Sequence, residues 1–257
     1  SNSDPKHNLE ELSELVERAC RAGARLVATP ENTTLLSTPD RKVALAEPLD
    51  GPTHQRLARL AAQHHCYLLV GSVAERCDET RCYNSSVLYG PSGELIAFYR
   101  KIHLFDIDLP QGPRFQESRH IAPGDAVVVA ETELGRIGMS ICYDLRFPLL
   151  YQRLVEKGAE ILTVPSAFTL QTGKDHWHPL LRARAIECQA FVLAPAQEGQ
   201  HDDRGLRHSY GHSLILDPWG TTLAECGEGV GLCLAEVDLQ RVHRVRQAMP
   251  VQTHRRL

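Results

Sequence analysis

Apolar residues recur along the chain with two different periods, which predict helices and strands in alternation. In residues 7–24 the leucines and valines repeat at helical spacing, and Gly23 can end the helix. Pro52 and Pro179 lie near the start of two further segments with this period, where a helix tolerates proline. The pattern predicts helices over residues 7–24, 52–65, 147–160, 176–190 and 239–248.

Short runs of apolar and β-branched residues, bounded by turn formers, predict the strands. These runs cover residues 25–31, 66–76, 82–90, 94–102, 126–144 (two strands around a turn at Leu134 and Gly135), 161–168, 191–197, 211–220, 221–226 and 231–238. Residues 38–51 and 103–125 are predicted as irregular loops, and the second is long enough to line a functional site. Strands alternating with helices and hairpins predict an α/β fold in one domain, residues 1–257, with mixed sheets covered by helices.

Composition narrows the class of protein without changing this picture. Of 257 residues, 42% are hydrophobic and 23% charged, and the net charge is −4, which favours neither nucleic acid nor an anionic membrane as partner. No apolar run approaches the roughly 20 residues of a membrane-spanning helix. The eight cysteines are dispersed, several of them in apolar runs, so we expect reduced thiols in a cytoplasmic protein.

Cys142 lies in the segment ICYDLRFP, at the junction between a predicted strand and a predicted helix. Free backbone N–H groups at such a junction can face a ligand and are expected to lower the pKa of a thiol. Taken alone, a buried core cysteine explains the position at least as well as a nucleophile does. A nucleophile also needs a base and a group that stabilises an oxyanion.

Two other polar residues follow predicted strands in the same way. Glu31 comes directly after the strand that ends in TP, and Lys101 follows the strand ELIAFYR. The C-terminal ends of strands are the usual place for active-site residues in α/β proteins. Each residue by itself is also compatible with a solvated loop acid or a basic residue at a strand end.

The sequence offers weak signals for metal binding. Cys77 and Cys82 form a C-x4-C pair that no second cysteine pair or ordered histidine pair follows at zinc-site spacing. His176 and His178, in the tripeptide HWH, are two residues apart on a predicted helix and should face different directions. We therefore expect no metal and no cofactor.

Together, the motifs TPE, YRKIHL and ICYDLRFP, in this order at strand ends, resemble the Glu–Lys–Cys triad of the nitrilase (carbon–nitrogen hydrolase) superfamily. The resemblance covers nearly the whole chain, including LPQGPRFQES, GAEILTVPSAF, YGHSLILDPWG and MPVQTHRR. It is closest to the Nit branch. RARAIECQ, APAQEGQH and GHSLILDPWG resemble the deaminated glutathione amidases, whereas ω-amidases read closer to RAVDNQ followed by SPAR.

The resemblance implies an αββα sandwich of two mixed sheets and a role for each matching residue. Cys142 would attack the amide carbonyl, Glu31 would be the general base, and Lys101 with the backbone N–H of Tyr143 would hold the oxyanion. Further roles would belong to Glu117, which positions the lysine and the substrate, and to Arg146, Phe168 and Thr172, which bind the substrate. A structural arginine is an equally good interpretation of Arg146.

The implied function is a cysteine-dependent amidase that hydrolyses a small carboxylate-bearing amide, expected to be deaminated glutathione, with release of ammonia through a thioester. ω-Amidase, N-carbamoyl-amide hydrolase and a non-catalytic scaffold of the same fold remain alternatives. Family members dimerise, so the resemblance also implies a homodimer or higher homo-oligomer. The family pattern has a central strand before the first helix, and this chain starts after it, so we expect that strand to be missing here.

Overall fold

The five predicted helices are all present in the computed structural model, which describes residues 1–108, 114–201 and 207–256. The helices are α1 Pro5–Arg21, α2 Pro39–Ala44, α3 Pro52–His64, α4 Pro148–Glu156, α5 Leu170–Cys188, α6 Leu239–Ala248 and α7 Val251–His254. The short helix α2 falls in a predicted loop. α5 begins at Leu170, six residues before its predicted start, so Pro179 lies inside it rather than near its first turn.

In the part of the chain that the structure describes, fifteen strands form two larger sheets and two hairpins. They are β1 Leu26–Ala28, β2 Tyr67–Arg76, β3 Cys82–Tyr89, β4 Leu95–Arg100, β5 Asp106–Asp108, β6 Arg114–Gln116, β7 Ile121–Ala122, β8 Val129–Thr132, β9 Gly135–Met139, β10 Ile161–Thr163, β11 Phe191–Ala194, β12 Glu198–Gln200, β13 His208–Tyr210, β14 Leu214–Leu216 and β15 Thr222–Glu225. The predicted loop 103–125 therefore contains β5, β6 and β7, although residues 109–113 of its LPQGP sequence lie outside the described residues.

Both larger sheets are mixed. The first has the order β1-β2-β3-β4, with β1 and β2 parallel, the next two pairs antiparallel, and β7 paired with β3. The second has the order β15-β14-β11-β10-β9-β8, in which β9, β10 and β11 are parallel and the outer pairs antiparallel. Loops at the C-terminal ends of β1, β4 and β9 carry the candidate site.

The two sheets pack face to face, and helices cover their outer faces. Alternation along β2 shows this directly: Tyr67 and Leu69 face the second sheet, whereas Leu68 and Val70 pack under α1 and α3. On the other side, Trp177 of α5 is fully buried in the core shared with the second sheet. This αββα arrangement is the one that the sequence predicted.

Residues 231–238, predicted as a strand, join no sheet among the described residues. An apolar run adopts a stable strand only when a neighbouring backbone pairs with it, and none does so here. Instead, residues 231–237 line a cavity of about 630 Å³ whose opposite wall includes β1 and residues of α1. None of the described helices is long and apolar enough to cross a membrane.

Candidate active site

Glu31, Lys101 and Cys142 come together where strands β1, β4 and β9 end. All three are buried, with exposed fractions of 4%, 2% and 8%. The Lys101 ammonium lies 2.9 Å from the Glu31 carboxylate, and the Cys142 thiol forms a hydrogen bond with that same carboxylate. Lys101 and Cys142 thus form one contiguous cluster with Glu31 between the two sheets, although they follow it in the chain by 70 and 111 positions.

The Glu31 carboxylate is held at both oxygens. Oε1 accepts hydrogen bonds from Lys101 Nζ at 2.9 Å and from Asn84 Nδ2 at 2.9 Å, while Oε2 accepts from the Ala167 N–H at 2.9 Å. The Ala167 N–H also lies beside the Cys142 sulfur. Three donors thus hold the carboxylate in contact with the thiol.

Glu117 is the second carboxylate on Lys101. Its Oε2 lies 3.0 Å from Lys101 Nζ and accepts a 2.6 Å hydrogen bond from the Phe105 N–H, which fixes the carboxylate against the chain that follows β4. Lys101 thus contacts two carboxylates. One of them belongs to Glu117, the residue to which the family resemblance assigns the positioning of the lysine.

Cys142 occupies a left-handed backbone conformation with φ of 47°, at the start of a 3₁₀ turn, Cys142–Arg146. Residues other than glycine adopt this backbone conformation at a cost of about 1–3 kcal/mol, and residues in such conformations cluster at functional sites. The Cys142 N–H donates to Pro165 O at 2.9 Å, whereas the Tyr143 N–H has no acceptor among the described residues. Tyr143 can therefore supply the donor that the oxyanion needs.

Burial and charge fix the resting protonation state. Burial raises the pKa of the Cys142 thiol well above its ordinary value, and the neighbouring Glu31 carboxylate raises it further, against the smaller opposing effect of Lys101. For Glu31, the adjacent Lys101 ammonium and hydrogen bonds outweigh burial and leave the carboxyl pKa lowered. The carboxylates of Glu117 and Glu31 overcome burial and raise the pKa of Lys101. The cluster rests as carboxylate, ammonium and neutral thiol.

This result corrects one expectation from the sequence. The strand-to-helix junction was expected to lower the thiol pKa. This expectation was wrong, because burial of the thiol and the neighbouring Glu31 carboxylate both oppose thiolate formation. The proton must therefore move as the sulfur attacks, when negative charge passes to the substrate oxygen.

Asp144 connects the turn that begins at Cys142 to the segment that carries Lys101. It is fully buried, and one oxygen accepts from the Ile141 N–H at 2.8 Å and from Tyr99 Oη at 2.7 Å. The other oxygen accepts from the backbone N–H of His103 at 3.1 Å and lies 2.7 Å from its ring Nδ1. Tyr99 and His103 flank Lys101, so Asp144 sets the distance between Lys101 and Cys142.

Replacing Asp144 with asparagine should lower both stability and activity. The amide NH2 would face two donors in place of an oxygen, and a buried donor without an acceptor costs about 1–3 kcal/mol of unfolding free energy. Urea unfolding and kcat/KM measure the two effects. Asp125→Asn, at an exposed loop position, is the control and should change neither. Unchanged stability in Asp144→Asn would show that the hydrogen bonds do not hold the turn.

Arg146 lies at the mouth of the site, at the other end of the turn from Cys142. Its guanidinium carbon is 5.3 Å from the centre of the Phe168 ring and 5.9 Å from that of Tyr143. Both terminal nitrogens approach His176 Nδ1, at 3.4 and 3.3 Å. Among the described residues no backbone carbonyl accepts from Arg146, and its role in substrate binding stays a prediction.

The two other predicted substrate-binding residues lie beside this mouth. Phe168 is buried and packs against Trp177, with ring centres 5.0 Å apart. Thr172 is on the first turn of α5, where its hydroxyl lies 2.8 Å from that of Thr169. Contact with a substrate remains a prediction for both residues.

Lys42, on α2, is a cation that the sequence did not suggest. Its ammonium contacts Asn32 Oδ1 at 2.5 Å, and burial together with the charge of Arg207 lowers its pKa to about 8, against the opposing effects of Glu31 and Glu117. The helix that carries it falls in a predicted loop, so no periodicity pointed to it.

Asn84 and Asp144 also escaped the sequence analysis. An asparagine inside the buried strand β3 is unusual, and that could have marked it as a polar contact of the site. Asp144 stands two residues after the nucleophile, and only tertiary contacts reveal its donors. The Ala167 N–H, as a backbone group, leaves no signal in a sequence at all.

Comparisons with known proteins agree with this geometry. The sequence model of the carbon–nitrogen hydrolase family matches residues 1–247. A rat protein named deaminated glutathione amidase is 44% identical over all of this chain and 80% of its own length, and a Synechocystis protein of the same name is 42% identical over 96% and 92%.

Among solved structures, the C. elegans NitFhit protein superposes with a TM-score of 0.92 and is 38% identical, and the match spans all of this chain and 63% of that one. The nitrilase-like sandwich and the resemblance to the Nit branch, both inferred from the sequence, are thereby confirmed. On its match to the family's sequence model and to these relatives, the chain belongs to the carbon–nitrogen hydrolase family.

Proposed function

We propose that this carbon–nitrogen hydrolase is a cysteine-dependent amidase for small carboxylate-bearing amides, with deaminated glutathione as the leading substrate. The observation that carries the proposal is the buried cluster in which Glu31 contacts both the Lys101 ammonium and the Cys142 thiol. The names of the 42–44% identical relatives support the substrate.

The geometry supports a two-step reaction. Glu31 takes the thiol proton while the Cys142 sulfur attacks the amide carbon, and the Lys101 ammonium with the Tyr143 N–H receives the developing oxyanion. Glu31 then gives its proton to the leaving nitrogen as the C–N bond breaks and a thioester forms. In the second step Glu31 takes a proton from water, the hydroxyl adds to the thioester, and the acid leaves as the thiol is restored.

The leaving group requires a correction to the sequence-based expectation of ammonia. Deaminated glutathione carries its amide bonds on substituted nitrogens, so its hydrolysis releases an amine. Ammonia is released only from a primary amide such as α-ketoglutaramate. The two candidate substrates share the carboxylate-bearing acyl part and differ in what leaves.

This difference gives the experiment that tests the substrate. Purified protein is offered deaminated glutathione and α-ketoglutaramate separately, and amine and ammonia are measured. We expect the higher kcat/KM with deaminated glutathione. Equal or higher kcat/KM with α-ketoglutaramate would favour the ω-amidase alternative, and no turnover of either would favour the non-catalytic scaffold.

Arg146 supplies the preference for a carboxylate in this proposal. A guanidinium binds a carboxylate through two parallel hydrogen bonds, and the aromatic faces of Phe168 and Tyr143 hold it in place. His176 Nδ1 accepts from both terminal nitrogens of the guanidinium and so helps to hold it in place.

Replacing Arg146 with methionine should therefore lower kcat/KM about 10–100-fold for a carboxylate-bearing amide, the equivalent of about 1.5–3 kcal/mol for a charged hydrogen bond. The same amide with its carboxylate esterified, and therefore neutral, should react equally fast with the wild type and with Arg146→Met. Arg153→Met, on the exposed face of α4, is the matched control. Equal losses on both substrates would mean that Arg146 supports the fold instead of selecting the carboxylate.

We also propose that the enzyme works in the cytoplasm. All eight cysteines are free thiols, including the nucleophile, and a reducing compartment keeps them so.

A further inference from the structure

A second cluster of ligating side chains lies outside the active site, at the edge of the second sheet. His178 Nε2 and His212 Nδ1 each lie 2.8 Å from the same oxygen of Glu225. The three ligating atoms all lie within 4.8 Å of one another. We propose that these three residues bind a divalent transition-metal ion of the zinc type, in departure from our expectation of no metal.

The three residues stand on elements whose relative positions are fixed. His212 lies two residues before strand β14, and Glu225 is the last residue of strand β15. The two strands are paired, with Leu214 opposite Glu225. His178 lies on helix α5, and the neighbouring Trp177 donates its indole N–H to His212 O at 2.9 Å. The helix is thus bonded to the backbone of one ligand, so the cluster requires no folding of a loop to assemble.

The imidazole rings are also held in orientation. The Tyr210 ring stacks on His212 with centres 4.4 Å apart, and it meets the His178 ring edge to face. Such packing limits the rotation of both rings. A metal site depends on ligands whose orientation is set before the ion arrives.

The donor set suits zinc. Two imidazole nitrogens and one carboxylate oxygen, with a fourth position open, are a common zinc ligand set. In a tetrahedral site with bonds of about 2.0–2.2 Å, ligand atoms lie roughly 3.3–3.6 Å apart, so the present 2.8 Å separations need to widen by under 1 Å. The side chains are about one-third exposed, which lets water complete the coordination.

An incoming cation would meet no competing positive side chain on the carboxylate. Among the residues that the structure describes, Glu225 contacts the two histidines, and neither a lysine nor an arginine forms an ion pair with it. The ion would take the place of the hydrogens that the rings now direct at Glu225.

The site is separate from the amidase centre. His176, two residues before His178, contacts Arg146 at the mouth of the active site, while His178 points to the sheet edge. The HWH sequence is therefore divided between two sites, as expected for residues two apart on a helix. The spacing of these two histidines predicted no metal between them, and it does not reveal that His178 meets residues 34 and 47 positions later in the chain.

A metal here would clamp α5 to the sheet rather than take part in amide hydrolysis. Since α5 also carries Thr172, the clamp would hold one wall of the active-site mouth. An ion that binds only the folded state raises its stability by mass action, so zinc should raise Tm in a concentration-dependent way.

The test uses the whole chain, freed of metal with EDTA, with Zn²⁺ and Co²⁺ as probes. Zinc affinity, Tm with and without zinc, and the visible absorption of bound Co²⁺ are measured for wild type, His178→Asn, Glu225→Gln and the control His176→Asn. We expect one equivalent of metal and a Tm increase in wild type and His176→Asn. Zinc affinity should fall at least about 10-fold in the two ligand variants, since the loss of a residue that only hydrogen-bonds to a metal ligand already lowers metal affinity by that much.

Two results would overturn the proposal. One is equal zinc affinity in wild type and both ligand variants, which would place any bound metal elsewhere, for example on the thiols. The other is an unchanged Tm and no cobalt absorption in wild type. Tm measured without metal identifies a variant that fails to fold, and the second ligand variant then decides.

Discussion

Replacing Glu31 with glutamine should lower kcat/KM by about 10²–10⁴-fold, the usual contribution of a general base. The glutamine amide has the same shape as the carboxylate, and its oxygen can still accept a hydrogen bond from Asn84 or Lys101, but it cannot take the thiol proton. Glu75→Gln is the matched control, because Glu75 is also a buried carboxylate in an ion pair, with Arg100, but lies outside the cluster. We expect the control to keep most of the activity.

The same substitution should make the Cys142 thiol more acidic even as activity falls. The Glu31 carboxylate raises the pKa of the thiol in the wild type, and without it the cluster holds one ammonium and one carboxylate, so the thiolate gains stability. Alkylation of Cys142 by iodoacetamide, followed by peptide mass spectrometry across pH, should therefore reach half its maximal rate at a lower pH in Glu31→Gln. An unchanged or higher midpoint would contradict the charge balance described for the cluster.

Lys101→Met should have the largest effect on both stability and activity. The lysine forms ion pairs with two carboxylates, and removing one partner of a buried ion pair costs about 3–5 kcal/mol of unfolding free energy. The loss of an oxyanion donor should lower kcat by about 10³-fold in addition. Urea unfolding and steady-state kinetics separate these effects.

A double variant distinguishes the two roles of Lys101. Adding Glu117→Gln to Lys101→Met removes one of the two unpaired carboxylates, so we expect it to restore part of the lost stability. It should not restore activity, because the oxyanion donor is still absent. Recovery of activity together with stability would mean that Lys101 acts through the fold alone.

The sequence predicted the elements that carry Glu31, Lys101 and Cys142 far better than the contacts between these residues. Apolar periodicity located β1, β4 and β9, and Glu31 and Lys101 stood out as the polar residues that follow the first two of these strands. Their convergence follows from sheet order, which pairs strands far apart in the chain and which local patterns do not encode. The family resemblance supplied what periodicity could not.

The errors have a physical cause in common. The run 231–238 has the composition of a strand, but a strand exists only with a paired neighbour. The thiol pKa was judged from the strand-to-helix junction, whereas burial and the Glu31 carboxylate raise it. Asp144 and His178 act through partners that are brought to them by folding. In each case the deciding interaction is long-range.

In the proposed mechanism, Cys142 carries the acyl group during turnover. Wild-type protein is mixed with substrate, quenched in acid within the first turnovers and mapped by peptide mass spectrometry, and a parallel reaction contains hydroxylamine. The mechanism predicts an adduct on Cys142 with the mass of the substrate less its leaving amine, and an acyl hydroxamate in the parallel reaction. Amide hydrolysis without an adduct on Cys142 and without hydroxamate would contradict it.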